Sequence, residues 1–385
     1  MSLEALVNAR VLLEDGFVEG RAVLLDGDRI AGVVGMNDGR VGRARRNDLG
    51  GAMLLPGFID CQVNGGGGVL FNDDPSVATI EAIGRAHRRF GTTAFLPTLI
   101  SDDLSVIRRA IDAVREAIGR RVPGVVGVHI EGPYINAARK GAHDAAKFRD
   151  LDERGVALLA SLGVGRTLVT LAPEMATPGT IRQLAASGVV ICAGHTDASF
   201  DQALNAFHMG VSGVTHLFNA MSPMTNREPG TVGAALYDPD CFCGLIVDGR
   251  HVHPAVLRIA LAAKAIDRFM LVTDAMPSVG SAQGHFMLQG RRIEVRDGVC
   301  IDESGTLAGS AIDMATAVRN ATALLDVPVE TAVRMASAHP ARFLRLEREL
   351  GRIAPGYRAN LVAADDGMNV RATWIDGKHE AVIPG

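Results

Sequence analysis

The chain has 385 residues, enough for one large barrel with a small appendage or for two or three domains. Hydrophobic residues make up 48% and charged residues 21%, which is typical of a soluble globular protein and excludes a disordered, collagenous or coiled-coil chain. The 39 basic and 43 acidic residues are interspersed, so the sequence lacks the basic stripe of a nucleic-acid binder. We expect no nucleic-acid partner.

The cysteines and the apolar segments bear on the cellular compartment. The five cysteines are an odd number without a CxxC pair, which favours neither a disulfide framework nor a metal knuckle. No basic leader followed by an apolar run opens the chain. The longest uncharged stretch, residues 202–226, contains His, Asn and Pro residues that are costly in lipid. We therefore expect a cytoplasmic protein without a membrane partner.

Short β segments occupy both ends of the chain. The first fifty residues contain LVNARVLL and AVLLDGDRIAGVVG, interrupted by Asp-Gly pairs that favour hairpin turns. From Gly351 onwards, GRIAPGYRANLVAADD and TWIDGKHEAVI again indicate strands and turns. The simplest arrangement joins residues 1–53 and 346–385 in one small β-sandwich domain.

Between these ends, eight short apolar runs alternate with helical patterns. The runs end at Asp60, Thr98, Glu131, Glu174, His195, His216, Asp248 and Asp274. One intervening helix is marked by Leu104, Ile107, Ile111 and Val114, with Ser101 as its expected N-cap. Alternation of this kind predicts a parallel sheet covered by helices. An open doubly wound sheet is the alternative, but the count of eight and the missing GxGxxG favour a (β/α)₈ barrel over residues 54–345.

An alternating stretch interrupts the pattern after Asp274. Residues 284–309 contain the turn-forming pair Asp297-Gly298 and predict a β-hairpin insertion. Two final helices are expected at 314–325 and 329–344.

The candidate chemistry lies at the predicted strand ends. Glu131, His195, His216 and Asp274 close strands three, five, six and eight, and the carboxyl ends of barrel strands meet at one cavity. One carboxylate and two imidazoles match a catalytic zinc-type site with an open fourth position, and Asp274 remains as a possible base. Each residue alone would more often be hydrogen-bonded core. Four at equivalent positions make coincidence a poor explanation.

Seven motifs, in this order, resemble those of the N-acetylglucosamine-6-phosphate deacetylases of the amidohydrolase superfamily. They are VHIEGPY at Glu131, KGAHD at His143, AGHTDA at His195, THLFNAM at His216, REPG at Arg227, DGRHVH at His251 and LVTDAM at Asp274. The resemblance continues in PGFIDCQVNG at strand one and in GRIAPGYRANLV, so that it spans nearly the whole chain.

The resemblance implies a metal-dependent hydrolase that converts N-acetylglucosamine 6-phosphate to glucosamine 6-phosphate and acetate, in amino-sugar catabolism or cell-wall recycling. Glu131, His195 and His216 would hold one divalent metal per subunit, zinc in the first place, with Fe²⁺, Co²⁺ or Mn²⁺ as alternatives. Asp274 would take the proton of the attacking water and pass it to the departing amine. His143 would polarise the acetamide carbonyl and stabilise the oxyanion.

Strand one departs from a pattern common among amidohydrolases. Many carry His-x-His there and bind a second metal through it, whereas this chain has Asp60-Cys61-Gln62. An amide is a poor zinc ligand and strand four offers no lysine, so we expect a mononuclear site. Gln62 is expected to remain near the water or the metal as a hydrogen-bonding group.

The resemblance also implies a phosphate site. His251 and Arg227 would contact the substrate 6-phosphate, with Asn219 and Ala220 supplying further donors and Ala142 lying beside the substrate. Arg227 would come from a neighbouring subunit, which makes the expected assembly at least a homodimer. Two other functions remain open: a deacetylase of a related N-acyl sugar phosphate or N-acyl amino acid, and a non-catalytic sugar-phosphate sensor.

Overall fold

A computed structural model describes residues 3–296 and 298–382, so Asp297 of the expected Asp297-Gly298 turn lies outside the described residues. Its largest sheet has eight strands, and each strand pairs in parallel with the next one along the chain. Barrel strands one to eight are Phe58–Val63, Thr92–Ile100, Gly127–Glu131, Arg166–Leu171, Val190–Ala193, Gly213–Val214, Phe242–Leu245 and Phe269–Leu271. A parallel bridge between Val63 and Ala275 joins the first strand to the last, which confirms the predicted barrel.

Asp60 fastens the barrel where strand one meets the end of strand eight. Its carboxylate is fully buried and accepts hydrogen bonds from the Thr273 hydroxyl at 2.6 Å and from the backbone N–H groups of Thr273 and Gln62 at 3.3 and 3.2 Å. Burial raises the pKa of Asp60 to about 7. The Asp60 carboxylate thus makes its hydrogen bonds within and across the contact between strand one and the end of strand eight.

Helices surround the barrel. The α-helices of the described chain are Gly39–Arg43, Val77–Arg88, Leu104–Gly119, Glu153–Leu159, Pro178–Ala186, Phe200–His208, Gly230–Tyr237, Pro254–Ala263, Met314–Leu325, Val329–Met335 and Ala338–Phe343. The N-cap of the helix Leu104–Gly119 is Asp103, so the expectation of Ser101 as its cap is wrong. The last predicted helix is two helices, with a break at residues 336–337 that places Pro340 near the start of the second, where a missing N–H costs least.

Strands from both chain ends form two further sheets. One contains Glu4–Val7, Arg21–Asp26, Arg29–Gly35 and Arg45–Asp48, and the other contains Arg10–Leu13, Gly16–Val18, Met53–Pro56, Leu361–Ala364, Val370–Ile375 and Lys378–Ala381. Leu6 and Val23 of the first sheet pack against Leu54, Leu361 and Trp374 of the second in one buried cluster. This is the small β-sandwich that the alternating terminal segments predict.

The insertion after barrel strand eight has more strands than the predicted hairpin. It is a four-stranded antiparallel sheet, called the inserted sheet below, and its strands are His285–Leu288, Arg291–Arg296, Val299–Ile301 and Leu307–Ser310. It spans residues 285–310, close to the predicted 284–309, and has four strands where a hairpin has two. A two-stranded hairpin, Gly65–Gly66 with Val69–Leu70, follows barrel strand one.

Among the described residues, no helix combines the length and the apolar character needed to cross a membrane.

Candidate active site

Three buried side chains converge at the carboxyl end of the barrel. The Nε2 atoms of His195 and His216 lie 3.2 and 3.1 Å from Oε1 of Glu131, and 3.2 Å from each other. In a tetrahedral site with metal–ligand bonds of about 2.0–2.1 Å, neighbouring ligand atoms lie about 3.3 Å apart. The three atoms therefore have the spacing that one divalent cation requires, and they form a group able to hold a metal ion.

The hydrogen bonding of His195 fits such an ion. Its Nδ1 donates to the carbonyl oxygen of Arg139 at 2.9 Å, since a carbonyl can only accept. In the tautomer with its hydrogen on Nδ1, the ring presents a lone pair at Nε2, toward the Glu131 carboxylate and the second imidazole. Electron pairs that face each other at this distance repel unless a proton or a cation lies among them. A histidine held in one tautomer by a backbone carbonyl is the usual arrangement at a metal centre.

The backbone turns sharply where these side chains leave the strands. His195, His216 and Asp274 have φ angles of +48°, +31° and +52°, in the left-handed region that residues other than glycine seldom adopt. Such conformations cost about 1–3 kcal/mol each and persist where the surrounding structure enforces them. At Asp274, the enforcing contacts include its N–H bond to the carbonyl of Gln62 at 2.9 Å.

Asp274 lies next to this cluster and is held on one side by two amides. Its Oδ1 accepts from Nδ2 of Asn64 at 2.6 Å and from Nε2 of Gln62 at 3.0 Å. The Gln62 amide also donates to both oxygens of Glu131, at 3.2 and 3.1 Å, so that it bridges the two carboxylates. Burial and the Glu131 charge raise the pKa of Asp274 to about 6, a value suited to proton transfer near neutrality.

His143 contributes a second kind of group. It is buried, and its ring centroid lies 4.4 Å from that of His195. Its Nδ1 accepts from the N–H of Ser101 at 3.3 Å and lies 2.7 Å from the Ser101 hydroxyl. Because Nδ1 is an acceptor, the proton of the neutral ring is on Nε2. Burial, reinforced by His195, lowers the pKa of His143 well below the usual value, so the neutral donor is the favoured form.

A buried polar layer beneath the site was missed by the sequence analysis. His129 of barrel strand three lies 2.8 Å from the Thr170 hydroxyl and 3.3 Å from the Thr98 hydroxyl, and Thr170 contacts Thr215 at 2.6 Å. Burial lowers the pKa of His129 to about 4 and keeps the ring neutral. His129 lies two residues before Glu131 and so points into the barrel on the same side; that alternation was the available signal.

A cavity of about 390 Å³ opens above the three converging side chains. Its walls include Glu131, His143, His195, His216, Asp274, Asn64, Ala142, Asn219, Ala220 and His251, together with Leu288 and residues 306–309 of the inserted sheet. Nδ1 of His251 lies 2.6 Å from Oδ2 of Asp248. The backbone N–H groups of Arg250 and His251 donate to Oδ1 of the same carboxylate, at 2.8 and 2.9 Å, and hold it beside the ring. The structure thus brings together most of the predicted site residues.

Three residues that were predicted to contact the substrate do not present a free donor group to this cavity. The Asn219 amide donates to the carbonyls of His216 and Leu217 at 3.1 and 3.3 Å, so its hydrogens are used within the turn. Gln62 lies behind Glu131 and is absent from the cavity wall. Arg227 is exposed in the loop before the helix Gly230–Tyr237 and is also absent from the wall of this chain's own cavity.

Comparison with known proteins identifies the family. Residues 53–379 match the amidohydrolase family. This chain belongs to the amidohydrolase family. It is 47% identical to the N-acetylgalactosamine-6-phosphate deacetylase of Shewanella sp. strain ANA-3, over 84% of this chain and 82% of that protein. It is 34% identical to the N-acetylglucosamine-6-phosphate deacetylase of Haemophilus influenzae, over 97% and 98% of the two chains.

Solved structures agree with these sequence relationships. The crystal structure of the Pasteurella multocida N-acetylglucosamine-6-phosphate deacetylase superimposes on this amidohydrolase with a TM-score of 0.95 at 35% identity, covering 98% of this chain and 100% of that one. The two chains therefore share their fold over almost their whole length.

Replacing Glu131 by Gln tests the metal centre of this amidohydrolase directly. We expect Co²⁺ binding to metal-depleted protein to weaken by at least about 100-fold, because the variant loses the anionic ligand and leaves two imidazoles. The visible absorption of bound Co²⁺ and elemental analysis measure the effect. Glu303→Gln, at an exposed position on the inserted sheet, is the matched control and should bind normally. Equal Co²⁺ affinity in both variants would contradict the assignment.

Proposed function

We propose that this amidohydrolase removes the acetyl group of N-acetylglucosamine 6-phosphate, giving glucosamine 6-phosphate and acetate, in amino-sugar catabolism or cell-wall recycling. The convergence of Glu131, His195 and His216 beside Asp274 and His143 carries this proposal, because a metal site, a base and a neutral donor face one cavity. The named relatives, at 34% and 47% identity, are deacetylases of acetylated hexosamine 6-phosphates.

Glu131, His195 and His216 would hold one divalent metal per subunit, which we propose is zinc, with Fe²⁺, Co²⁺ or Mn²⁺ as alternatives. When bound, such an ion acts as a Lewis acid and lowers the pKa of a water molecule toward about 7. A second ion is disfavoured at strand one, because Asp60 is engaged by Thr273 and Gln62 presents its NH₂ group to the carboxylates.

Asp274 would act as the general base and then as the general acid. Its Oδ1 is fixed by Asn64 and Gln62, which leaves Oδ2 for a proton taken from water. The same oxygen would return the proton to the amine when the C–N bond breaks. Proton transfer by a positioned side chain contributes about 10²–10⁴-fold to the rate.

His143 would donate from Nε2 to the acetamide oxygen. Ser101 keeps its Nδ1 as an acceptor, so the Nε2 hydrogen is available in the neutral ring. The oxygen gains negative charge as the tetrahedral intermediate forms, and a donor fixed in advance stabilises that charge without reorganisation.

The substrate phosphate would be bound by His251 and by Arg227 of a second subunit, beside Asn219, Ala220 and Ala142. Asp248 fixes the ring of His251 at the cavity, whereas Arg227 is exposed and outside it. Met224 and Tyr237, exposed by 55% and 72%, flank Arg227 in sequence, and exposed apolar side chains of this kind are common at subunit contacts. We therefore propose a homodimer.

A cytoplasmic location is part of the same proposal. All five cysteines are buried and unpaired, in keeping with a reducing compartment.

N-acetylgalactosamine 6-phosphate is a second candidate substrate, because the 47% identical relative is named for it. The two epimers are distinguished by their rates of acetate release. Metal-depleted protein is first reloaded with one divalent ion at a time and is then assayed with each epimer. We expect the glucosamine epimer to give the higher kcat/KM, and unphosphorylated N-acetylglucosamine to be at least about 100-fold poorer, since it leaves the phosphate-binding groups unpaired. A faster galactosamine epimer would reverse the assignment of substrate while keeping the reaction.

Asp274→Asn separates proton transfer from metal binding. The amide retains the shape of the side chain and cannot accept the proton, so we expect kcat to fall by about 10²–10⁴-fold. The metal content, measured by elemental analysis, should stay near one equivalent per chain. Near-normal turnover in this variant would exclude Asp274 as the base.

Mixed dimers test the shared site. Arg227→Ala and Asp274→Asn homodimers should both be nearly inactive, each for lack of one group. Random reassociation of the two variants should restore about one quarter of the normal activity, because half of the dimers would then contain one complete site. Acetate release after mixing measures the recovery. The absence of recovery, with mixed dimers shown by native mass spectrometry, would place Arg227 in its own subunit's site or outside both.

A further inference from the structure

The inserted sheet packs against the two loops that carry His143 and Ser101. Its apolar face, with Leu288 and Ile293, forms one cluster with Ile100, and Ala142 packs against that cluster. Ile100 directly precedes Ser101, and Ala142 directly precedes His143. The inserted sheet therefore contacts the chain at the residue before each member of the Ser101–His143 pair.

Gln289, at the turn between the first two strands of the inserted sheet, joins these loops through its side-chain amide. Its Nε2 donates to the carbonyl oxygen of Ser101 at 2.6 Å, and its Oε1 accepts from the N–H of Asp144 at 2.9 Å. Arg291 adds a hydrogen bond to the carbonyl of Ala142. The Gln289 side chain thus links Ser101, which contacts His143, to Asp144, which follows His143 in the chain.

Ser101 transmits this contact to the imidazole. The Ser101 N–H and hydroxyl both face Nδ1 of His143, which leaves the hydrogen on Nε2, the nitrogen that is not engaged by Ser101. Gly132 makes the arrangement possible, because a Cβ atom at that position would collide with Oγ of Ser101. A shift of the Ser101 backbone would change both the position and the tautomer of His143.

The backbone at Gln289 adopts a conformation that is unfavourable for glutamine. Residues 289 and 290 form a two-residue hairpin loop with φ angles of +49° and +79°. Asn-Gly is the pair that favours this loop, and glutamine lacks the short side chain that eases the left-handed conformation. The chain therefore accepts a less favourable turn residue at the place where a longer amide reaches both loops.

We propose that Gln289 is a positioning residue for His143, so that the inserted sheet is part of the catalytic apparatus. The inference rests on the proposed function, in which His143 donates to the acetamide oxygen. Gln289 acts through Ser101 and the 142–144 segment and touches none of the metal-binding side chains in the structure.

Gln289→Asn is the deciding variant, because asparagine suits the turn but is shorter by one methylene, about 1.5 Å. We expect kcat to fall by about 10- to 100-fold, since small displacements of a catalytic group have effects of this size. Metal content should stay unchanged, because Gln289 touches none of the metal-binding side chains. KM should change little, because the His143 donor acts mainly on the charge that develops in the transition state. Gln283→Asn, an exposed position in the segment leading into the inserted sheet, is the matched control. An unchanged kcat in Gln289→Asn would overturn the proposal.

A second comparison separates positioning from general damage. In a His143→Ala background, Gln289→Asn should cause little further loss of kcat, because two residues that act through one group are not additive. A further loss as large as in the unmodified protein would also overturn the proposal.

A readout that does not depend on turnover completes the test. ¹⁵N NMR of the histidine-labelled holoenzyme gives such a readout, and the His143→Ala variant assigns the His143 signals. We expect Nδ1 of His143 to have the chemical shift of an unprotonated nitrogen in the unmodified protein and to lose that shift in Gln289→Asn. An identical His143 spectrum in both proteins would refute the positioning role. If the unmodified protein releases no acetate, the proposed function fails, whereas the spectrum still decides whether Gln289 controls His143.

Discussion

The electrostatic requirement at Glu131, His195 and His216 governs the rest of the molecule. Three electron-rich atoms within 3.2 Å of one another repel unless a proton or a cation lies among them, so the fold must hold the three side chains together. The barrel supplies that restraint, because each residue leaves a strand whose neighbours are fixed by parallel pairing. The left-handed φ angles at His195 and His216 are the local energetic cost of aiming both rings at one point.

Around this centre, three of the groups with a proposed chemical role have a hydrogen-bond partner that fixes their orientation, whereas Nδ1 of His216 is buried without one among the described residues. The Arg139 carbonyl sets the tautomer of His195, the Gln62 and Asn64 amides hold Asp274, and Ser101 holds His143. These partners leave free the atoms that the chemistry needs: Nε2 of each histidine and one oxygen of Asp274. Orientation by fixed neighbours matters most where the reacting atoms must meet within a few tenths of an ångström.

The sequence predicted the barrel and the metal-binding cluster because both depend on short-range patterns. Apolar runs ending in Glu131, His195 and His216 identify the strand ends, and barrel geometry then brings those ends together. Ser101 was assigned to helix capping because a serine before an amphipathic pattern usually caps it, whereas here it is buried against His143. Gln289 and Asn64 were not found, because neither ends a predicted barrel strand and their partners lie 188 and 210 residues away along the chain.

The structure divides the site between two supports with different physical character. The metal-binding side chains leave strands of a closed barrel, whose pairing resists displacement. His143 lies in a loop whose position depends on side-chain hydrogen bonds and on apolar contact with the inserted sheet. On the proposed assignment, a change in the inserted sheet should affect turnover without affecting metal affinity. We therefore expect sequence changes in the inserted sheet to alter the position of His143 and the cavity wall at residues 306–309 while Glu131, His195 and His216 stay in place.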